Sequence, residues 1–171
     1  MKAITLVTLA LGSPAGAEVI SASSNGFEVR ETVTVSDAPA EAYAAFGRIG
    51  SWWDPAHTYS GSAANLSLEP QLGGCFCERL PNGGGVQHMR VTYIEPGKRL
   101  LMTGSLGPLL FLSTTGVMDV KFEPETNGTR VTLDYRAAGF FNGGADKIAP
   151  AVDQVLGGQA SRLKAYLETK R

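Results

Sequence analysis

Cys75 and Cys77 are the only cysteines of the 171-residue chain, and His57 and His88 are its only histidines. Two thiols on one face of a strand, completed by two imidazoles, make a four-ligand set suited to a soft or borderline metal ion such as zinc. The spacing matches no diagnostic zinc motif, and no cofactor fingerprint accompanies it. A disulfide is the second possibility, favoured by an oxidising compartment. Residues i and i+2 of a strand lie about 6–7 Å apart, whereas bridged Cβ atoms sit about 4 Å apart, so a bridge requires a distorted strand. The reading that asks for least is two small, buried thiols.

Glu78 is the second chemically informative residue. Strand parity places it on the face of Phe76 and Leu80. If Phe76 faces an interior, so does Glu78, and an inward carboxylate must be paired or must titrate at raised pH. Arg90 is a candidate partner. Parity, however, groups His88 with Arg90 and Thr92, opposite Gln87, Met89, Val91 and Tyr93, and the simplest assignment turns the His88 set to solvent. Glu78 is then either the polar member of an apolar pocket, available as an acid/base, or half of a surface salt bridge.

Trp52, Trp53 and Tyr59 form an aromatic group that either gates a pocket or fastens a helix to a sheet. The run 104–112, Gly-Ser-Leu-Gly-Pro-Leu-Leu-Phe-Leu, is too apolar for a solvated loop. It reads as a buried strand or, alternatively, as a lid carrying Phe111.

The elements that must position these residues follow from periodicity. Alternation predicts a half-buried strand over 27–35. Pro39 and Glu41 suit the start of a helix that buries Tyr43 and Phe46, and Gly50 and Pro55 bracket the end of this helix or helix pair. Between 66 and 136, turns at Gly73-Gly74, 81–85, 95–97 and 123–128 separate strands over 75–80, 86–94, 99–104, 116–122 and 129–135. Ile148, Val152, Val155, Leu156, Gln159, Leu163, Tyr166 and Leu167 recur at helical spacing, giving one long C-terminal amphipathic helix with Gly157-Gly158 inside it. Two adjacent glycines there predict a kink or a close approach. The fold class is α+β.

The N-terminus carries Lys2, an apolar run from Ala3 to Leu11, and the small-x-small triplet Ala15-Gly16-Ala17. This is the three-part pattern of a signal peptide cleaved after Ala17. Residues 18–26 read as a loose leader and 27–171 as one domain. No later segment is apolar enough to span a bilayer. A net charge of -1 without a basic cluster excludes a nucleic-acid binder. No Walker loop, HExxH, dinucleotide fingerprint or nucleophile elbow is present. Neither a cofactor nor a particular oligomeric state is implied.

The order of elements resembles the START/Bet v 1-like (SRPBCC) superfamily. The local sequences Gly73-Gly74-x-Phe76-x-Glu78, Arg90-Val91, Glu95-Pro96, Arg99-Leu100, Gly128-Thr129-Arg130-Val131-Thr132-Leu133 and Arg162-Leu163-Lys164-x-Tyr166 are similar to its polyketide-cyclase-like and Hsp90-ATPase-activator-like branch. The likeness is greatest to exported bacterial members without an assigned activity. It implies a helix-grip fold, in which a curved antiparallel sheet wraps a long C-terminal helix, with two short helices after the first strand. It also implies a cavity for lipids, sterols, aromatic polyketides or hormones, but no single reaction. An exported chain does not fit a partner as cytosolic as Hsp90.

The expectation is a periplasmic or secreted binding protein for a small apolar or amphipathic molecule. Phe76, Met89, Met102, Met118, Leu133 and Tyr135 would line the sheet side, Val152, Val155 and Leu156 the helix side, and Trp52, Trp53, Tyr59 and Phe111 the entrance. A cyclase or hydratase using Glu78, and a ligand-free domain that binds a partner through 109–112, are the alternatives.

Overall fold

The computed structural model describes residues 18–169, so the segment read as a signal peptide lies outside the described residues. One antiparallel sheet of eight strands dominates: β1 (Glu18–Ser23), β2 (Gly26–Val35), β3 (Leu66–Leu68), β4 (Cys75–Arg79), β5 (Gly85–Glu95), β6 (Arg99–Gly104), β7 (Thr114–Glu125) and β8 (Gly128–Gly139). Their order is β1-β2-β8-β7-β6-β5-β4-β3. β3 to β8 form a meander, each strand pairing with the next. β2 instead pairs with β8, from Gly26 opposite Ala138 to Val35 opposite Thr129. The α+β helix-grip architecture is therefore present.

Residues 18–26 are not a loose leader. Glu18–Ser23 is an edge strand on β2, turning back at Ser24-Asn25. Its side chains are mostly exposed, so main-chain pairing rather than apolar burial orders it, and alternation could not reveal it.

Helix α1 (Pro39–Gly47) starts at Ala38, whose N–H donates to the Glu41 carboxylate at 3.3 Å. It buries Ala42, Ala45 and Phe46. The expected helix pair is instead one α-helix followed by three short 3-10 turns, Ile49–Ser51, Pro55–His57 and Ala63–Asn65. Gly50 sits where a Cβ would come within 2.8 Å of the Leu66 carbonyl oxygen, so only glycine permits this close crossing.

Helix α2 (Ala149–Glu168) packs across β2, β1 and α1. It buries Leu156, Gln159, Ala160, Leu163 and Leu167. The expected glycine kink is absent: α2 is one continuous helix, and a Cβ at Gly158 would meet open space. Polar ties join α2 to the segment after α1. The Asp54 N–H donates to Gln159 Oε1 at 2.9 Å, and Arg162 Nε donates to the Trp52 carbonyl at 2.9 Å.

The outer face of the sheet carries a charge lattice. Arg99 donates to both oxygens of Asp119, at 2.8 and 2.6 Å. Arg30 holds Asp134, Lys121 lies 3.4 Å from Asp134 and 3.7 Å from Asp119, and Arg136 reaches Glu28 at 3.0 Å. Asp119 and Asp134 are opposed across β7 and β8 and are buried beneath these cations. Like charges directly opposite would repel; the interleaved cations reverse the sign of the local field.

Candidate functional site

The site begins with an irregularity in strand pairing. Phe76 opposes Met89 and Cys77 opposes Gln87, which leaves His88 as an extra residue on β5. Such a bulge shifts side-chain parity by one. His88 and Met89 are consequently both buried, while Gln87, Arg90 and Tyr93 are exposed. The expectation that His88 faces solvent with Arg90 is overturned, because strict alternation does not survive the inserted residue.

The same distortion accompanies a Cys75–Cys77 disulfide, with Cα atoms 5.3 Å apart. The cysteines are half-buried and bonded rather than free buried thiols. The four-ligand metal alternative fails with them: His57 is exposed, and His88 is committed to a carboxylate. Among the described residues no cluster of three or more such ligands occurs.

Glu78 faces inward with Phe76, as parity predicts, and is 1% exposed. Its partner is not Arg90, which donates to the Gly73 carbonyl at 2.8 Å. Glu78 instead accepts from the N–H of Tyr59 at 3.1 Å and of Ser60 at 2.5 Å, and its Oε2 lies 3.1 Å from His88 Nε2. Burial pushes the carboxyl upward, but hydrogen bonds from the Ser60 side chain and backbone, from Tyr59 and from His88 outweigh this and hold it below its ordinary value. Glu78 is thus an anchored carboxylate, not a proton donor.

His88 is 5% exposed. Burial lowers the imidazole pKa, and the opposing pull of Glu78 does not cancel it. The ring is therefore neutral at neutral pH. Because Glu78 is ionised and can only accept, the single ring proton belongs on Nε2. Nδ1 is left as a bare acceptor, buried and without a partner.

Rings surround this dyad. Tyr59 stacks on His88 at 5.8 Å with planes 16° apart, and Phe76 lies 5.0 Å from it on centroids. Trp53 packs edge-on to Phe76 at 5.6 Å, and Trp52 against Trp53 at 5.5 Å. Outward, Phe111 meets Tyr59 edge-on at 5.8 Å. The Tyr59 hydroxyl donates to the Gly107 carbonyl at 2.6 Å.

Residues 107–111 form a 3-10 strap rather than a buried strand. Leu109 is buried, but Phe111 is 76% exposed. Pro108 lacks an N–H for a ladder, which favours the turn. Phe111 therefore lies at the surface, not in an interior lining. Trp52 and Trp53 are both buried, whereas Tyr59 is 39% exposed.

The remaining predicted lining residues occupy the inner face. Met102 opposes Met118, and Met118 opposes Tyr135, making a row across β6, β7 and β8. These three, with Met89, Leu133 and Leu156, are fully buried in one apolar cluster. Val152 and Val155 are only half-buried. Two clefts, of about 460 and 660 Å³, open elsewhere: one beside the β1–β2 turn and Gly116, the other at the β7–β8 turn.

A second polar group was missed from sequence. Glu31 shares the inward parity of Phe27, Val29 and Val33, is 2% exposed, and interacts with Asp153 of α2. Burial first, then the charge and the carboxyl of Asp153, push Glu31 up to about 8. Glu31 Oε1 and Asp153 Oδ1 are buried and lack other partners. The signal was available: a carboxylate at an apolar position of an alternating strand.

The fold has many solved relatives at low identity. An uncharacterized protein from Rhizobium leguminosarum superposes with a TM-score of 0.61 at 17% identity, covering 87% of this chain and 99% of the other. The Mll3558 protein from Rhizobium loti gives 0.61 at 22%, covering 82% and 96%. The di-domain ARO/CYC StfQ of the steffimycin biosynthetic pathway gives 0.57 at 18%, covering 86% of this chain and 52% of that one. No curated protein matches the chain. Residues 26–168 match the family model described as polyketide cyclase / dehydrase and lipid transport, and the chain belongs to that family.

Proposed function

We propose that the chain is an exported binding protein for a small apolar or amphipathic molecule, held between the inner face of the sheet and the helical elements that cover it. The observation that carries this reading is the buried row Met102–Met118–Tyr135 with Met89 beside it. Methionine is unbranched and polarizable, so such a surface changes shape at little cost and receives ligands by moving aside. Each square ångström of apolar ligand surface removed from water contributes about 25 cal/mol before ordering costs. Membership of a family described by cyclisation, dehydration and lipid transport agrees with an apolar cargo.

A general-acid role for Glu78 is disfavoured. Two backbone donors and an imidazole hold it as an ionised acceptor, with no proton to give.

Native mass spectrometry tests the reading, on protein recovered from the periplasm or medium of producing cells. A mature N-terminus at Glu18 and a bound, solvent-extractable apolar species are expected. Protein that is empty as recovered and remains empty after incubation with naphthalene-sized probes would overturn it.

A further inference from the structure

His88 is the one imidazole of the inner face, and three features fix its chemistry. The β5 bulge turns it inward, where alternation alone would turn it out. Glu78 orients it through Nε2, and Glu78 is itself pinned by the Tyr59 and Ser60 amides. Its Nδ1 is buried and unpartnered. A buried acceptor without a donor is costly, by about 1–3 kcal/mol, and native proteins retain few of them without a use. The surroundings indicate that use: flat rings pack on the imidazole, Tyr59 stacked at 5.8 Å and Phe76 tilted at 5.0 Å on centroids.

We infer that His88 is the polar anchor of the ligand site: its Nδ1 accepts a hydrogen bond from the hydroxyl of a flat hydroxy-aromatic molecule, a phenol, which inserts beside Tyr59 and Phe76. This rests on the binding reading above and deepens it by naming the ligand class. Tyr59 is the movable member of the group. It is partly exposed, and its outward contacts are one hydroxyl bond to Gly107 and the edge of Phe111, so displacing it uncovers the imidazole at low cost. A hydroxyl donor suits the bare nitrogen; a carboxylate or an ether cannot donate to it. Glu78 is a positioning residue that fixes the tautomer and does not touch the ligand.

The test compares 2-naphthol with naphthalene by calorimetry, on the wild type and on His88→Phe. The wild type is expected to bind 2-naphthol at least about tenfold more tightly than naphthalene. His88→Phe is expected to bind the two equally, and a wild-type near-ultraviolet circular dichroism spectrum shows that the variant is folded. A wild type that binds naphthalene with no preference for the naphthol, or a variant that keeps the preference, overturns the anchor and leaves the binding reading intact. Failure to bind either probe overturns the anchor, and overturns the binding reading as well when the protein is also recovered empty. Nitrogen NMR of the wild-type imidazole supplies a readout that needs no variant: the Nδ1 resonance should shift on adding 2-naphthol and not on adding naphthalene, and an unmoved resonance with bound naphthol counts against the anchor.

Discussion

Glu31 of β2 and Asp153 of α2 interact within the packed side of the sheet, and the Glu31 carboxyl holds its proton well above the ordinary carboxylate range. Glu31 is raised to about 8 from an ordinary value of about 4.5, first by burial and then by Asp153. Between these limits the folded chain keeps a proton that the unfolded chain has released. The stability from this pair is complete below pH of about 4.5 and is lost as pH rises through about 8. Glu31→Gln removes that dependence. Relative to wild type, the variant should gain roughly 2–3 kcal/mol between acid and mildly alkaline pH. Urea unfolding at several pH values measures this; parallel profiles for the two proteins would refute it.

Glu78→Ala leaves the Tyr59 and Ser60 amides and His88 Nε2 without an acceptor. The expected loss is roughly 3 kcal/mol, typical of breaking a buried charged network. Hydrogen exchange should localise the effect, with the amides of Tyr59 and Ser60 becoming the most accelerated in the chain. Uniform acceleration would mean that Glu78 acts only through global stability.

These two carboxylates mark how far the sequence could be read. Sequence periodicity identified β4 to β8 but not the three-residue β3, and helical spacing identified the buried face of α2, because Leu156, Leu163 and Leu167 must all leave water together. Parity placed Glu78 correctly beside Phe76. It failed ten residues later at His88, since a bulge adds one residue without any marker in composition. Beside that irregularity Cys75 and Cys77 lie with Cα atoms 5.3 Å apart, closer than an undistorted strand allows. Edge strand β1 was invisible because its polar side chains bury almost nothing.

The Cys75–Cys77 ring is short, and short rings restrict the unfolded chain least. A loop of this length is worth about 1.5 kcal/mol in the chain-entropy account. Reduction, or replacement of both cysteines by serine, should therefore lower stability by no more than roughly that amount. A thiol titration of unreduced denatured protein should find no free thiol. Two reactive thiols would overturn the bridge.

Tyr59→Phe removes the hydroxyl that donates to Gly107. Loss of one partly exposed hydrogen bond should cost about 1 kcal/mol or less, while amide exchange across residues 107–112 accelerates. Phe111→Ser, at a mostly exposed ring, should change stability by about 0.5 kcal/mol or less. A larger loss would mean that the Phe111 ring is buried in solution.

The pairing of β2 with β8 also sets the timing of assembly. Arg30 and its partner Asp134 are 104 residues apart in the chain, whereas β3 to β8 are joined by successive hairpins. Hairpins between neighbours close quickly, and distant pairings wait for a costly loop to close. During synthesis the first long strand, paired only with β1, must therefore keep its β8 edge unmatched until nearly all of the chain exists. Throughout that interval its apolar stripe is open to chaperones, or to a second nascent copy.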